Sequence, residues 1–93
     1  MGSPISNLRR KIALGQYELT GHAKEELEQD GFSIEDLKAG IYSGRIVASQ
    51  RHGGARRKHA VKGKATDGRA ITAICRITAV GSLRVITVFA DKP

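Results

Sequence analysis

The apolar pattern of this chain changes period once, at Gly44. Before that point apolar residues recur at helical spacing; after it they alternate along extended runs. Helices therefore come first and strands second. This order predicts an α+β fold of two layers, with two to three N-terminal helices packed on a three- to four-stranded antiparallel sheet.

Local signals set the elements. Ser3 can cap a first helix, Pro4 suits its first position, and Ile5, Leu8 and Ile12 share one side of it, with Gly15 as the stop. Residues 17–19 read as a brief extended segment. Thr20 is an N-cap for a second helix over residues 21–30, closed by Gly31. Ser33-Ile34-Glu35-Asp36 has the form of a capping signal, and Ile34, Leu37 and Ile41 carry a third helix to Gly44. Strands are expected over residues 46–49, 58–65, 69–78 and 83–90, separated by Gly53-Gly54, Thr66-Asp67-Gly68 and Gly81-Ser82. Alternation puts Arg57, His59 and Val61 on one face, and Lys58, Ala60 and Lys62 on the other. In the last strand it groups Leu83, Val85, Thr87 and Phe89 against Ile86 and Val88. The last two strands are apolar on both faces, which predicts central places in a sheet covered by helices.

Charge is as unevenly distributed as the periodicity. Sixteen Lys and Arg against nine Asp and Glu give a formal net charge of +7. Seven of the nine acids lie between residues 18 and 36, whereas residues 37–66 hold none and carry Lys38, Arg45, Arg51, Arg56, Arg57, Lys58, Lys62 and Lys64. Such a chain should fold with an acidic side and a basic side, and the basic side suits phosphates. The length fits a single domain over residues 1–93. Cys75 is the one cysteine, so an intrachain disulfide is excluded and a reducing, cytoplasmic setting is expected. No apolar run approaches the roughly 18–20 residues that span a bilayer, so no membrane partner is expected. No apolar stretch follows the basic N-terminus, so no secretory leader is expected either.

The run Tyr17-Glu18-Leu19-Thr20-Gly21-His22-Ala23, then Asp30-Gly31-Phe32-Ser33, Glu35-Asp36 and Gly44-Arg45-Ile46-Val47, resembles the front half of the bacterial domain of unknown function 4258 family. His59-Ala60-Val61-Lys62-Gly63, Asp67-Gly68-Arg69 and Val85-Ile86-Thr87-Val88 resemble its back half. That family is distantly similar to RelE/BrnT-like toxins. The resemblance implies a toxin-like endoribonuclease of a bacterial toxin–antitoxin pair, with RNA, including RNA on the ribosome, as substrate and a cognate antitoxin as partner. The chain departs from the family pattern after the His-Ala pair, where many members carry Arg and this one has Lys24, Glu25 and Glu26.

Metal-independent RNA cleavage needs a base for the 2′-hydroxyl, cations for the charged phosphorane and an acid for the leaving oxygen. The candidate catalytic residues are His22, His59 and Arg69; the candidate RNA-binding residues are Arg57, Lys58, Lys62, Arg76 and Arg84. His22 begins a helix, where the dipole favours a neutral imidazole. Its plainer alternative is to fill the helix–sheet junction. Arg57 and His59 can form a phosphate-binding pair or simply charge an edge strand. Arg69 can grip a phosphate bidentately or pair with Asp67. Arg76 and Arg84 would floor a basic cleft if they point the same way. His22, His52, His59 and Cys75 lack zinc spacing, and the acids form no magnesium-like cluster, so no metal or other cofactor is expected. With four scattered aromatics, charge should dominate over base stacking. A non-catalytic nucleic-acid-binding module and a protein-interaction domain with an acidic partner are the alternatives to the nuclease.

Overall fold

The computed structural model describes residues 4–51 and 57–90. Ser3, His52, the Gly53-Gly54 turn and Arg56 lie outside the described residues. The elements run α1 (Pro4–Ala13), β1 (Tyr17–Leu19), α2 (Gly21–Gln29), α3 (Ile34–Ser43), β2 (Arg45–Gln50), β3 (Lys58–Lys64), β4 (Ala70–Ile77) and β5 (Leu83–Ala90). The fold is α+β.

Capping chemistry cuts the helical half into its pieces. At the end of α1, the N–H of Gln16 donates to the carbonyl of Lys11 and that of Gly15 to Ile12, with Gly15 at φ 71°. The same pattern closes α2, from Phe32 to Leu27 and from Gly31 to Glu28, with Gly31 at φ 70°. Both are Schellman ends, which need a residue that tolerates positive φ. Phe32 and Leu27 are also buried together in the core, the apolar contact that accompanies this motif. Thr20 opens α2 by accepting from the N–H of Ala23 at 3.1 Å. Ser33 and Asp36 form a reciprocal capping box at the start of α3. Ile34, expected on the inner side, is 38% exposed, because Asp36 and Leu37 take the buried positions of that turn.

The sheet has five strands in the order β1-β5-β4-β3-β2. β2 to β5 are antiparallel, as expected; β1 adds a fifth strand that runs parallel to β5, with Glu18 beside Arg84. Leu8, Ile12, Leu27, Leu37 and Ile41 of the helices meet Val61, Ile71, Ala73, Cys75, Leu83, Val85 and Val88 of the sheet in one core. Each fully buried Leu, Ile or Val side chain contributes about 1.5–3 kcal/mol. The helices cover one face only, so the central strands are not enclosed from both sides.

Two irregularities set which residues face outward. The β4–β5 register shifts between Ile74 and Cys75, so Thr87 pairs with Ile74 but Val85 with Cys75. Ile86 is the extra residue of a bulge, which reverses the alternation after it. Val88 therefore joins Leu83 and Val85 beneath the helices, and Thr87 and Phe89 move to the other side, unlike the grouping that strict alternation gives. A second shift, at Val47, divides β2.

α3 crosses β3 at very short range. A side-chain carbon added at Gly63 would fall on the carbonyl of Gly40, and one at Gly44 would meet the carbonyls of Gly40 and Lys62. α2 instead lies along β5 beyond the reach of β1. Thr20 donates its hydroxyl to the carbonyl of Ile86 at 3.0 Å. Glu26 accepts from the N–H of Val88 at 3.0 Å, and Asp30 from that of Ala90 at 3.1 Å. These side chains take the hydrogen bonds that a longer β1 would have made. Among the described residues no helix is long and apolar enough to cross a membrane.

Candidate nucleic-acid interface

With the helices on one face, the alternate residues of each strand form the other, open face. Register fixes their rows. Arg76 of β4 stands directly opposite Arg84 of β5, and Arg84 stands beside Glu18 of β1. On β3, Lys58 continues this row, opposite Gln50 of β2. A middle row holds Thr87, Ile74, Ala60 and Ala48. The next holds Phe89, Thr72, Lys62 and Arg45, and Lys64 follows opposite Ala70. Phe89 is 40% exposed. Arg45, Lys58, Lys62, Lys64, Arg76 and Arg84 therefore share a single surface.

Among the described residues, one carboxylate reaches Arg84. Glu18 Oε1 lies 3.3 Å from Arg84 Nη2. Among the described residues, the side chains of Arg45, Lys58, Lys64 and Arg76 have no ion-pair partner. Like charges directly opposed across two strands repel, so the Arg76–Arg84 juxtaposition favours an anion above it. A hollow of about 440 Å³ opens there, lined by Glu18, Arg76, Ile77, Thr78, Ala79, Val80 and Arg84. A smaller one, about 210 Å³, is lined by Ala48, Gln50, Lys58, His59, Ala60 and Ile74.

The three candidate catalytic residues occupy three different places. His22 is exposed on α2, in the helical layer, with Nε2 3.4 Å from Glu26 Oε1. Arg69 follows the turn after β3 and reaches back to α2. Its Nε meets Asp67 at 2.6 Å, Nη1 the carbonyl of Asp30 at 2.8 Å, and Nη2 that of Gly31 at 2.9 Å. The guanidinium also lies 4.2 Å from the centre of the Phe32 ring. Arg69 thus holds the carboxyl end of α2, where a cation is favoured by the helix dipole, and its donors are engaged. His59 pairs with Cys75, which turns it toward the helix-covered side near the β2 edge. Its Nδ1 is 2.8 Å from Ser49 Oγ. Burial and, second, the charge of Arg57 lower its pKa below the usual 6.5, which favours the uncharged ring. Arg57 itself is exposed just before β3. Lys58, Lys62, Arg76 and Arg84 converge on the open face; His22 and Arg69 stand away from it.

Sequence reasoning passed over Arg45, Lys64, Glu18 and Phe89. Alternation through residues 58–64 was the available signal for Lys64. For the others the pairing register was needed. Cys75 is a free, buried thiol whose pKa burial pushes up to about 12.

A family model described as Domain of unknown function (DUF4258) matches residues 19–90. No curated protein and no solved structure matches the chain. The matched span leaves out α1 and takes in α2, α3 and strands β2 to β5, and so every open-face cation described above. With well over half of its residues matched, the chain belongs to the DUF4258 family of domains of unknown function.

Proposed function

We propose that this protein binds single-stranded RNA along the open face of its sheet. The observation that carries this reading is the gathering of Arg45, Lys58, Lys64 and Arg76, none with an ion-pair partner among the described residues, on the face opposite the helices. A phosphodiester strand supplies the missing anions at regular spacing, and release of its counterions drives binding. The open face offers no helix to enter a duplex groove, which favours a single strand laid across the strands. Phe89 offers one ring for a base.

The direct test is fluorescence anisotropy with a labelled RNA oligonucleotide over a salt series. The logarithm of affinity is expected to fall by about 0.7 per neutralised phosphate for each log unit of salt. Single-stranded DNA and an acidic peptide serve as competitors. Affinity that ignores salt, or an acidic peptide that displaces RNA at equal charge, would sink the proposal.

One observation favours cleavage in addition to binding. His59 lines a hollow together with Lys58, and its surroundings favour the uncharged ring. For RNA that wraps this edge, the imidazole of His59 takes the proton of a 2′-hydroxyl and, as imidazolium, returns it to the leaving 5′-oxygen, while Lys58 stabilises the phosphorane; the products are a 2′,3′-cyclic phosphate and a 5′-hydroxyl, without a metal. This is the toxin-like endoribonuclease reading, in which an antitoxin covers the open face. Incubation with RNA in EDTA should then give cyclic-phosphate ends that His59→Ala abolishes. RNA that stays intact leaves the protein a binding module.

A further inference from the structure

The hollow at the β1–β5–β4 end of the open face differs from the rest of that face. The hollow at Lys58 is about half its volume. In the larger one, Arg76 and Arg84 are joined by an apolar wall of Ile77, Ala79 and Val80. Val80 is 88% exposed, so its side chain is open to a ligand at the rim of the hollow. It sits on an ordered turn. The N–H of Thr78 donates to Ser82 at 2.7 Å, that of Gly81 to Thr78 at 2.9 Å, and that of Ser82 to the hydroxyl of Thr78 at 3.1 Å. Gly81 takes φ 86°, which closes the turn tightly. The wall is therefore held in place beside the guanidiniums.

We propose that this hollow is a subsite for one nucleotide unit, with the phosphate between Arg76 and Arg84 and the base against Val80 and Ala79. The proposal deepens the RNA-binding reading by assigning it a place where a base as well as a phosphate is held. The volume of about 440 Å³ lies in the range of small-ligand clefts, roughly 300–1,000 Å³, and suits a single nucleotide. A bare phosphate needs only the two guanidiniums and leaves the wall uncovered. Glu18 has a defined part. It occupies Arg84 at 3.3 Å in the free protein and competes with the incoming phosphate. The subsite is thus held below its full affinity by its own carboxylate.

The test uses the whole chain and NMR-monitored titration with adenosine 5′-monophosphate, uridine 5′-monophosphate and inorganic phosphate in parallel. Nucleotides should bind about tenfold more tightly than phosphate, a gap of the size expected for burying part of a base. Shifts should map to residues 76–84. Val80→Ser, at an exposed position that tolerates change, should remove the nucleotide advantage and leave phosphate binding intact. Glu18→Gln should tighten both ligands several-fold. Arg76→Lys with Arg84→Lys keeps the charge but removes the planar fork, and should weaken both. Equal affinities for nucleotide and phosphate, or shifts confined to other strands, overturn the subsite. RNA that binds with normal affinity to Arg76→Lys/Arg84→Lys and to Val80→Ser overturns it while the wider RNA reading stands. Nucleotide binding at residues 76–84 without any RNA binding does the reverse.

Discussion

In the helical layer, Glu26, Asp30 and Asp36 each accept a backbone N–H; on the open face, Arg76 and Arg84 stand opposite each other, and of the two only Arg84 pairs with Glu18. The acids of residues 18–36 and the cations beyond residue 37 look alike as charge runs in the sequence. In the fold they do unlike work. Glu26 and Asp30 satisfy donors at a sheet edge, and Asp36 satisfies one at a helix start. On the open face, Arg45, Lys58, Lys64 and Arg76 leave their charge to solvent, or to a ligand. Net charge alone would hide this difference, because it sums groups that are already occupied with groups that are not.

Changes on the two sides should therefore separate stability from binding. The largest expected effect is at the joint between α3 and β3. Gly63→Ala should cost about 3 kcal/mol, because the new carbon meets a backbone carbonyl that cannot yield like a side chain. Chemical denaturation measures it, and RNA affinity should be unchanged in the fraction that stays folded. A variant that loses affinity in step with stability would break the comparison. The open face should behave the other way. Lys58→Ala, Arg76→Ala and Arg84→Ala combined should lower RNA affinity about a hundredfold and reduce the salt slope by about 2. The melting temperature should hold or rise, since opposed like charges are removed.

Acid should act on the helical layer next. The hydroxyl of Thr66, foremost, and the backbone N–H of Ser33 hold the Asp36 carboxyl down, from 3.8 to about 2. Its folded pKa lies below the unfolded value, so its stabilisation is full above about pH 4 and is lost as pH falls toward about 2. Thermal melts at stepped pH should show this loss, and Asp36→Asn should flatten it. The smallest effect is at His59. Its proton NMR titration should centre below 6.5, and Arg57→Ala should move it part of the way back. Protonation is disfavoured in the folded state, so this group withdraws stability as pH falls below 6.5. A midpoint at or above 6.5 would remove the argument for a neutral base beside Lys58.

Features written in neighbouring residues were legible in the sequence. As caps, Thr20, Ser33, Gly15 and Gly31 act through bonds to residues close in the chain, so those roles follow from spacing, whereas the bond from Thr20 to Ile86 does not. Features that depend on partners far along the chain were not. β1 joins β5 across more than sixty residues, and a three-residue strand carries too little pattern to announce it. The Ile86 bulge leaves no mark in the composition of β5, yet it moves Val88 inward and Thr87 and Phe89 outward. Gly40 reads only as a weak helix residue until β3 is laid against it. Among the candidate residues, Arg76 and Arg84 needed the hairpin register to become neighbours. Arg69 looked like a phosphate ligand because its two carbonyl partners sit on a helix 38 and 39 residues earlier.

The way α2 closes the upper part of β5 has a consequence for self-association. Among the described residues, that flank offers a newcomer the backbone of Tyr17–Leu19, too short a run to template a strand. The opposite flank, Arg45–Gln50, is twice as long. A sheet with one usable flank can join another like itself once, back to back, and then has nothing left to offer. Polymerisation by strand addition is thereby limited to a pair, and the charges of Arg45 and Arg51 discourage even that first step.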